Sequence, residues 1–120
     1  MRLSVPPRES LLRLEDIVEA IDKIERYIAG LDADAFVADE RTRDAVIWNI
    51  AVIGEAARML PPELENRYPD VPWARMRGMR NIVVHEYFGI DEGIIWETAA
   101  RNLPPLARRL REILARERPG

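Results

Sequence analysis

Apolar residues recur along the chain at intervals of three and four, the spacing of one face of an α-helix. No segment alternates apolar and polar residues over the length of a strand. The clearest helical face lies near the start of the chain and is followed by Gly30, a residue suited to ending a helix. This face consists of Leu14, Ile17, Ile21, Ile24 and Ile28. The pattern therefore predicts an all-α protein.

Capping and breaking residues divide the chain into predicted helices. The first begins at Glu9 or Ser10, and a short helix follows Asp32 or Asp34. The later helices cover residues 40–60, residues 72–85, a segment capped by Asp91 and a segment that Pro104 and Pro105 kink or separate from the last helix. We expect an antiparallel bundle of four or five helices forming one domain over residues 1–120, with residues 1–8 and 116–120 frayed.

The composition excludes several classes of protein and of site. The chain has 120 residues, a formal net charge of −3, 48% hydrophobic residues, no cysteine and one histidine. A disulfide framework, a cysteine-containing zinc site and a His-rich metal site are therefore excluded within one chain. Asp32 and Asp34 have the spacing of metal ligands but lack a third carboxylate, so helix capping is the favoured interpretation and no metal or cofactor is expected. Without a signal peptide or an apolar run long enough for a membrane span, the chain is expected to be soluble and cytoplasmic.

The charges are distributed unevenly along the chain. Residues 1–70 contain nine basic and fifteen acidic side chains, whereas residues 71–120 contain nine basic and six acidic ones. All basic residues except Lys23 are arginine. A net positive second half is compatible with a phosphate-bearing partner, although ordinary surface variation also produces such asymmetry.

The residues best suited to catalysis lie in the predicted helix over residues 72–85. Its apolar face contains Met76, Met79, Ile82 and Val83, and its polar face contains Arg77, Arg80, Asn81 and His85. Arg80 and His85 lie about 140° apart around an ideal helix, so they do not converge on one atom within one chain. Two copies facing each other across a two-fold axis could bring the arginine of one near the histidine of the other.

The single histidine supports the same arrangement. Metal-free cleavage of RNA needs a base for the 2′-hydroxyl proton and an acid for the leaving 5′-oxygen, and imidazole can perform either role near neutral pH. One chain has one imidazole, whereas a symmetric dimer has two, together with guanidinium groups that can hold a phosphate.

Structural explanations exist for each of these residues. His85 could cap the last carbonyls of its helix, and Asn81 could form a buried hydrogen bond between helices. Glu55 lies beside an apolar stripe and is expected to pair with Arg80 or Arg77. The three tryptophans are expected to be core or dimer-interface residues rather than stacking platforms; they are Trp48, Trp73 and Trp96.

Residues 80–87, Arg-Asn-Ile-Val-Val-His-Glu-Tyr, resemble the R-x4-H-x-Y signature of the HEPN superfamily, with asparagine directly after the arginine. The closest resemblance is to the HepT-like branch, and it extends over residues 12–114. Supporting similarities are the segment Ile-Gly-Glu-Ala-Ala at residues 53–57, Trp73 before the signature, and Asp91 and Trp96 after it. The joint pattern is specific, whereas Arg-x4-His alone would be weak.

This resemblance implies an all-α homodimer whose two signatures meet in a shared cleft. It also implies a metal-independent endoribonuclease toxin of a type VII-like toxin–antitoxin pair that leaves a 2′,3′-cyclic phosphate. Arg80 would bind the scissile phosphate and His85 would be the general acid and base, with Asn81 orienting one of them. An MntA-type nucleotidyltransferase antitoxin would inactivate the protein by adding AMP to Tyr87.

Arg77 and Glu55 are further candidates for supporting roles at this site. A non-catalytic dimeric module that binds nucleotide or a nucleotidyltransferase partner is the alternative function.

Overall fold

The computed structural model of the protein describes residues 8–87 and 92–118. For residues 85–87 and 92 it describes the backbone alone. This part of the chain is helical and contains no strand. The helices are α1 (Arg8–Ile28), α2 (Ala33–Ala38), α3 (Glu40–Arg58), α4 (Pro62–Arg67), α5 (Trp73–Arg77), α6 (Met79–Tyr87), α7 (Glu92–Glu97) and α8 (Leu103–Glu117), with a π-helical segment (Thr98–Asn102) between α7 and α8. The expected all-α helical bundle is confirmed.

Helix α1 is central to the bundle and packs against both α3 and α8. Its predicted apolar face is the buried one, and the core residues opposite it come from the inner faces of the other two helices. The core residues with no exposed surface in these three helices include Leu14, Ile17, Ile21, Ile24, Val46, Ile50, Ile53, Leu110 and Ile113. Burial of this apolar area is the main force that holds the bundle together.

Capping residues explain where the first three helices begin or end. Gly30 follows α1 with a φ of +81°, a left-handed conformation that glycine adopts without strain. Asp32 caps α2, where its carboxylate accepts a hydrogen bond from the Ala35 amide at 2.8 Å. Asp39 caps α3 by accepting from the hydroxyl and the amide of Thr42, and these two hydrogen bonds hold the pKa of Asp39 below its usual value.

The predicted helix over residues 72–85 is divided in the structure. Helix α5 ends at Arg77, the amide of the capping residue Gly78 donates to the Ala74 carbonyl at 3.0 Å, and α6 begins at Met79. Gly78 has a φ of −73° and a ψ of −4°, so the chain turns only slightly there. Glycine lowers helix stability in the interior of a helix, which explains why the break occurs at this residue.

Pro104 and Pro105 widen the C-terminal helix without separating it into two. Because neither residue has a backbone N–H, the carbonyls of Ala100 and Arg101 lose their usual donors four residues later. The preceding turns form the π-helical segment, in which the amide of Leu103 donates to the Thr98 carbonyl five residues back. The two prolines then occupy the first turn of α8.

Helix α8 continues through Arg116 and Glu117, two residues into the segment expected to fray. The carboxylate of Glu117 accepts hydrogen bonds from Arg67, at 2.7 Å, and from the Tyr68 hydroxyl. Burial raises the pKa of Tyr68, and the hydrogen bond with Glu117 raises it further. These contacts attach the end of α8 to the C-terminal end of α4. No helix in the described ranges is long and apolar enough to cross a membrane.

Candidate active site around Arg80

A close approach of two helices places Arg80 at the surface of the bundle. At Gly54, in the middle of α3, an added Cβ would lie 3.1 Å from the Arg80 amide nitrogen and 3.2 Å from its Cγ. The Met76 carbonyl would be 3.5 Å away. Gly54 therefore allows the start of α6 to lie directly on α3, and its absent side chain sets the position of Arg80.

Glu55 is the acidic neighbour of Arg80, one of the two arginines expected to pair with it. The Nε atom of Arg80 lies 3.8 Å from Oε1 of Glu55, and Nη1 of Arg58 lies 3.7 Å from the same oxygen. The side chains of Arg80 and Glu55 are 54% and 61% exposed, so Glu55 is at the surface and not beside the core. Exposed pairs at this separation contribute little to stability, and Arg80 remains able to bind another anion.

Arg77 points to a different partner. Its Nη1 atom lies 2.5 Å from Oε2 of Glu65, on α4, whose side chain is 20% exposed. Glu55 is thus paired with Arg80 and Arg58, and Arg77 joins α5 to α4. Sequence spacing gave no signal for this contact because Glu65 lies 12 residues away, between the predicted helices over residues 40–60 and 72–85.

Asn81, which follows Arg80 in the signature, is exposed. The alternative of a buried interhelical hydrogen bond at Asn81 is therefore wrong. The buried asparagine is Asn49 on α3, and its Nδ2 donates to the Ala45 carbonyl one turn earlier at 2.9 Å.

His85 and Tyr87 belong to the second half of α6 by their backbone. Their side chains lie outside the described part of the structure, as does the whole of Asp91, the expected cap of α7. The relation between Arg80 and His85 therefore remains the one that helix geometry predicts, about 140° around the axis. The apolar face of the same helix packs as predicted, because Met79 is buried and Ile82 and Val83 contact the core.

An apolar surface adjoins Arg80 on the α3 side. Trp48 is 71% exposed, and a hollow of about 310 Å³ is lined by Trp48, Ala51, Val52, Glu55 and Arg80. We call these five residues the Trp48 surface. The other two tryptophans are packed in the bundle: Trp73 is buried and donates to the Tyr68 carbonyl, and Trp96 lies 5.3 Å from Phe36 between ring centres.

We found no group of three or more histidine or acidic side chains arranged to hold a metal ion among the residues that the structure describes.

Comparison with known proteins gives a consistent result. Residues 17–113 match the family model described as ribonuclease HepT-like. A protein of Thermococcus cleftensis named "Probable ribonuclease HepT" is 38% identical over 93 residues, which are 78% of this chain and 84% of the relative.

Two further relatives carry the name "Putative RNase". One, from Caldanaerobacter subterraneus subsp. tengcongensis, is 35% identical over 88% of this chain and 94% of its own length. The other, from Methanocaldococcus jannaschii, is 36% identical over 92% of this chain and 91% of its own length. No solved structure gives a significant match.

Proposed function

Since the chain belongs to the HepT-like ribonuclease family, of the HEPN type, we propose that it is a metal-independent endoribonuclease with Arg80 and His85 as its catalytic residues. The observation that carries this proposal is that Arg80 is exposed and only weakly held by neighbouring side chains. Its side chain is half exposed and held only by a 3.8 Å contact with Glu55 in the described part of the chain. A guanidinium so weakly engaged can bind a phosphate through two parallel hydrogen bonds.

The proposed reaction is an internal transesterification of RNA. The imidazole of one His85 removes the proton from a 2′-hydroxyl, and the resulting oxygen attacks the adjacent phosphorus. The bond from phosphorus to the 5′-oxygen breaks, and the imidazolium of a second His85 donates a proton to that oxygen. The products are a 2′,3′-cyclic phosphate and a 5′-hydroxyl. Arg80 stabilises the negative charge that develops on the phosphate oxygens, and Asn81 orients the phosphate or the imidazole.

A homodimer follows from this chemistry, because each chain contains one histidine. The Trp48 surface supports a dimer in which the second copy covers α3 beside Arg80. A tryptophan that is 71% exposed next to an apolar hollow is characteristic of an interface residue. Such a dimer would enclose Arg80 in a cleft between the two copies, where water is partly excluded and charge interactions are stronger.

The proposal extends to a toxin–antitoxin pair of the type VII-like class. An MntA-type nucleotidyltransferase partner would transfer AMP to the Tyr87 hydroxyl, releasing diphosphate from ATP. Tyr87 lies two residues after His85 on α6. A nucleotide attached there would add a bulky anion beside the cleft, block RNA and compete for Arg80.

The test is RNA cleavage in excess EDTA by the unmodified chain, with its intact mass measured to exclude added AMP. His85→Ala and Arg80→Ala should keep the helical fold and the dimer but lose cleavage and growth inhibition. Arg108→Ala is the matched control, because Arg108 is an exposed arginine of α8 outside the site. Cleavage retained by His85→Ala would refute its catalytic role. An unmodified dimer that binds nucleotide or a nucleotidyltransferase but leaves RNA intact would favour the non-catalytic module instead.

A further inference from the structure

A second hollow is lined by Met79 and Ile82 of α6 rather than by Arg80, which lines the Trp48 surface. It has a volume of about 300 Å³ and is bounded by α5, α6, the π-helical segment and the start of α8. Small-molecule sites occupy roughly 300–1,000 Å³, so this hollow has room for one small ligand or one nucleotide unit. We call it the α5–π hollow.

The floor of the α5–π hollow is apolar. Met79 and Leu106, each 7% exposed, and the half-buried Ile82 supply its accessible surface, while Met76 and Leu103 complete the lining with no exposed surface of their own. Thioether sulfur and methyl groups make favourable contacts with the faces and edges of aromatic rings. The floor therefore suits a flat aromatic group rather than a bare ion.

The rim of the hollow carries two cations. Arg75, on α5, and Arg101, in the π-helical segment, both line it and are both exposed. Within the described ranges Arg75 forms no ion pair, and the one ion pair of Arg101 is an exposed contact of 3.6 Å with Glu97. Two weakly engaged guanidinium groups above an apolar floor are complementary to an anion attached to an aromatic ring.

Two breaks in helical regularity create this shape. The division between α5 and α6 at Gly78 lies on one side, and the π-helical segment before Pro104 and Pro105 lies on the other. Inserted π-helical turns often occur at functional sites, because the extra residue changes the direction of the neighbouring side chains. Here the segment contributes Thr98, Arg101 and Asn102 to the lining.

We propose that the α5–π hollow binds one nucleotide unit, with its base on the methionine and leucine floor and its phosphate between Arg75 and Arg101. That the unit is part of an RNA strand rests on the function proposed above. The strand would then contact two arginines of neighbouring helices, Arg80 at the cleavage site and Arg75 at this subsite. A free nucleoside monophosphate has the same chemistry and is the other source of the ligand.

The four methionines of the chain offer a direct test with methyl-labelled protein and NMR. Uridine 5′-monophosphate is the first probe, since a pyrimidine suits a hollow at the small end of the range. It should shift the methyl signals of Met76 and Met79 and leave that of Met59, which is 58% exposed after α3, unchanged. Inorganic phosphate and uridine should each bind at least about tenfold more weakly, since each lacks one half of the contacts.

Substitutions of the two rim arginines test where the phosphate of the nucleotide binds. Arg75→Gln and Arg101→Gln should each weaken binding by about tenfold, the effect of losing one charge-assisted hydrogen bond. Arg108→Gln removes the same charge from an exposed position outside the hollow and should leave the affinity unchanged. Unmoved Met76 and Met79 signals at saturating nucleotide, or undiminished binding by both rim variants, would overturn the proposal.

A 2′-O-methyl RNA oligonucleotide, which cannot undergo 2′-hydroxyl attack, distinguishes the two sources. Shifts at Met76 and Met79 with this oligonucleotide assign the subsite to an RNA strand, and shifts with the mononucleotide alone assign it to a free nucleotide. Binding is read without catalysis, so a chain that fails to cleave RNA but shows these shifts would contradict the proposed function and leave the subsite established.

Discussion

The contact between Gly54 and Arg80 predicts that replacing glycine by alanine has different effects at Gly54 and at Gly78. In Gly54→Ala the new Cβ would lie 3.1 Å from a backbone nitrogen and 3.2 Å from the Arg80 Cγ. In Gly78→Ala the nearest atoms are two carbonyl oxygens at 3.5 Å, an ordinary contact distance, and the backbone is already right-handed helical. Comparing the two variants therefore separates the cost of crowding from the general effect of replacing glycine by alanine.

The expected change in stability has two contributions, the general effect of replacing glycine by alanine and the crowding of the new Cβ. Alanine in place of glycine gains about 0.4–1 kcal/mol where the native backbone conformation suits it, because it restricts the unfolded chain, and this gain should appear at Gly78. At Gly54 crowding against a packed backbone costs about 1–3 kcal/mol and offsets or exceeds the gain. We therefore expect Gly54→Ala to be less stable than Gly78→Ala by about 1–3 kcal/mol. For a chain of this size that is a difference of several degrees in Tm.

The assay is denaturant and thermal unfolding followed by circular dichroism, at one protomer concentration because the proposed dimer would contribute to stability. RNA cleavage is measured on the same samples, since α6 can relieve the crowding only by moving Arg80 away from α3. Gly54→Ala should lose most of its cleavage activity while still folded at the assay temperature, and Gly78→Ala should keep its activity. A Gly54→Ala variant as stable and as active as Gly78→Ala would refute the positioning role of Gly54.

Three other predictions concern the interface, the pH dependence of stability and the pH dependence of activity. Trp48→Glu should convert the proposed dimer to monomer in sedimentation velocity and abolish cleavage, and a variant that stays dimeric would remove the Trp48 surface from the interface. Burial alone would raise the pKa of Glu117, but hydrogen bonds from Tyr68 and Arg67 outweigh it and hold this pKa below its usual value. Glu117 therefore contributes stability at neutral pH that is lost as the pH falls through its folded pKa, so the stability advantage over Glu117→Gln should shrink in acid; an advantage that grows in acid would contradict this sign. If the His85 residues of two copies serve as base and acid, cleavage should depend on pH with a bell shape, whereas a steady rise to high pH would indicate another base.

Local patterns predicted the elements of the fold because their determinants are local. The apolar spacing from Leu14 to Ile28 and the left-handed Gly30 both reappear in the structure. The division at Gly78 and the π-helical segment were not predicted as such, although both involve residues with known local effects. Whether a glycine ends a helix, or a proline pair widens one, depends on the packing of neighbouring helices.

At the site, the pairing of Glu55 with Arg80 could be predicted from opposite charges near one stripe. The role of Gly54 could not, because it depends on how closely α6 approaches α3. The contact of Arg77 with Glu65 was missed for the same reason, since it joins two short helices whose relative position no spacing encodes. Exposure of Trp48 likewise became evident only from the three-dimensional arrangement.

The most direct test of the central claim uses two RNA oligonucleotides that differ in one atom. After the cleavage position is mapped in excess EDTA, the second oligonucleotide is made with a 2′-deoxynucleotide on the 5′ side of the scissile bond. The account predicts that the unmodified chain converts the first into a fragment ending in a 2′,3′-cyclic phosphate and leaves that bond intact in the second. Cleavage of the deoxy bond, or a fragment without the cyclic phosphate, would contradict attack by the 2′-hydroxyl and with it the roles proposed for Arg80 and His85.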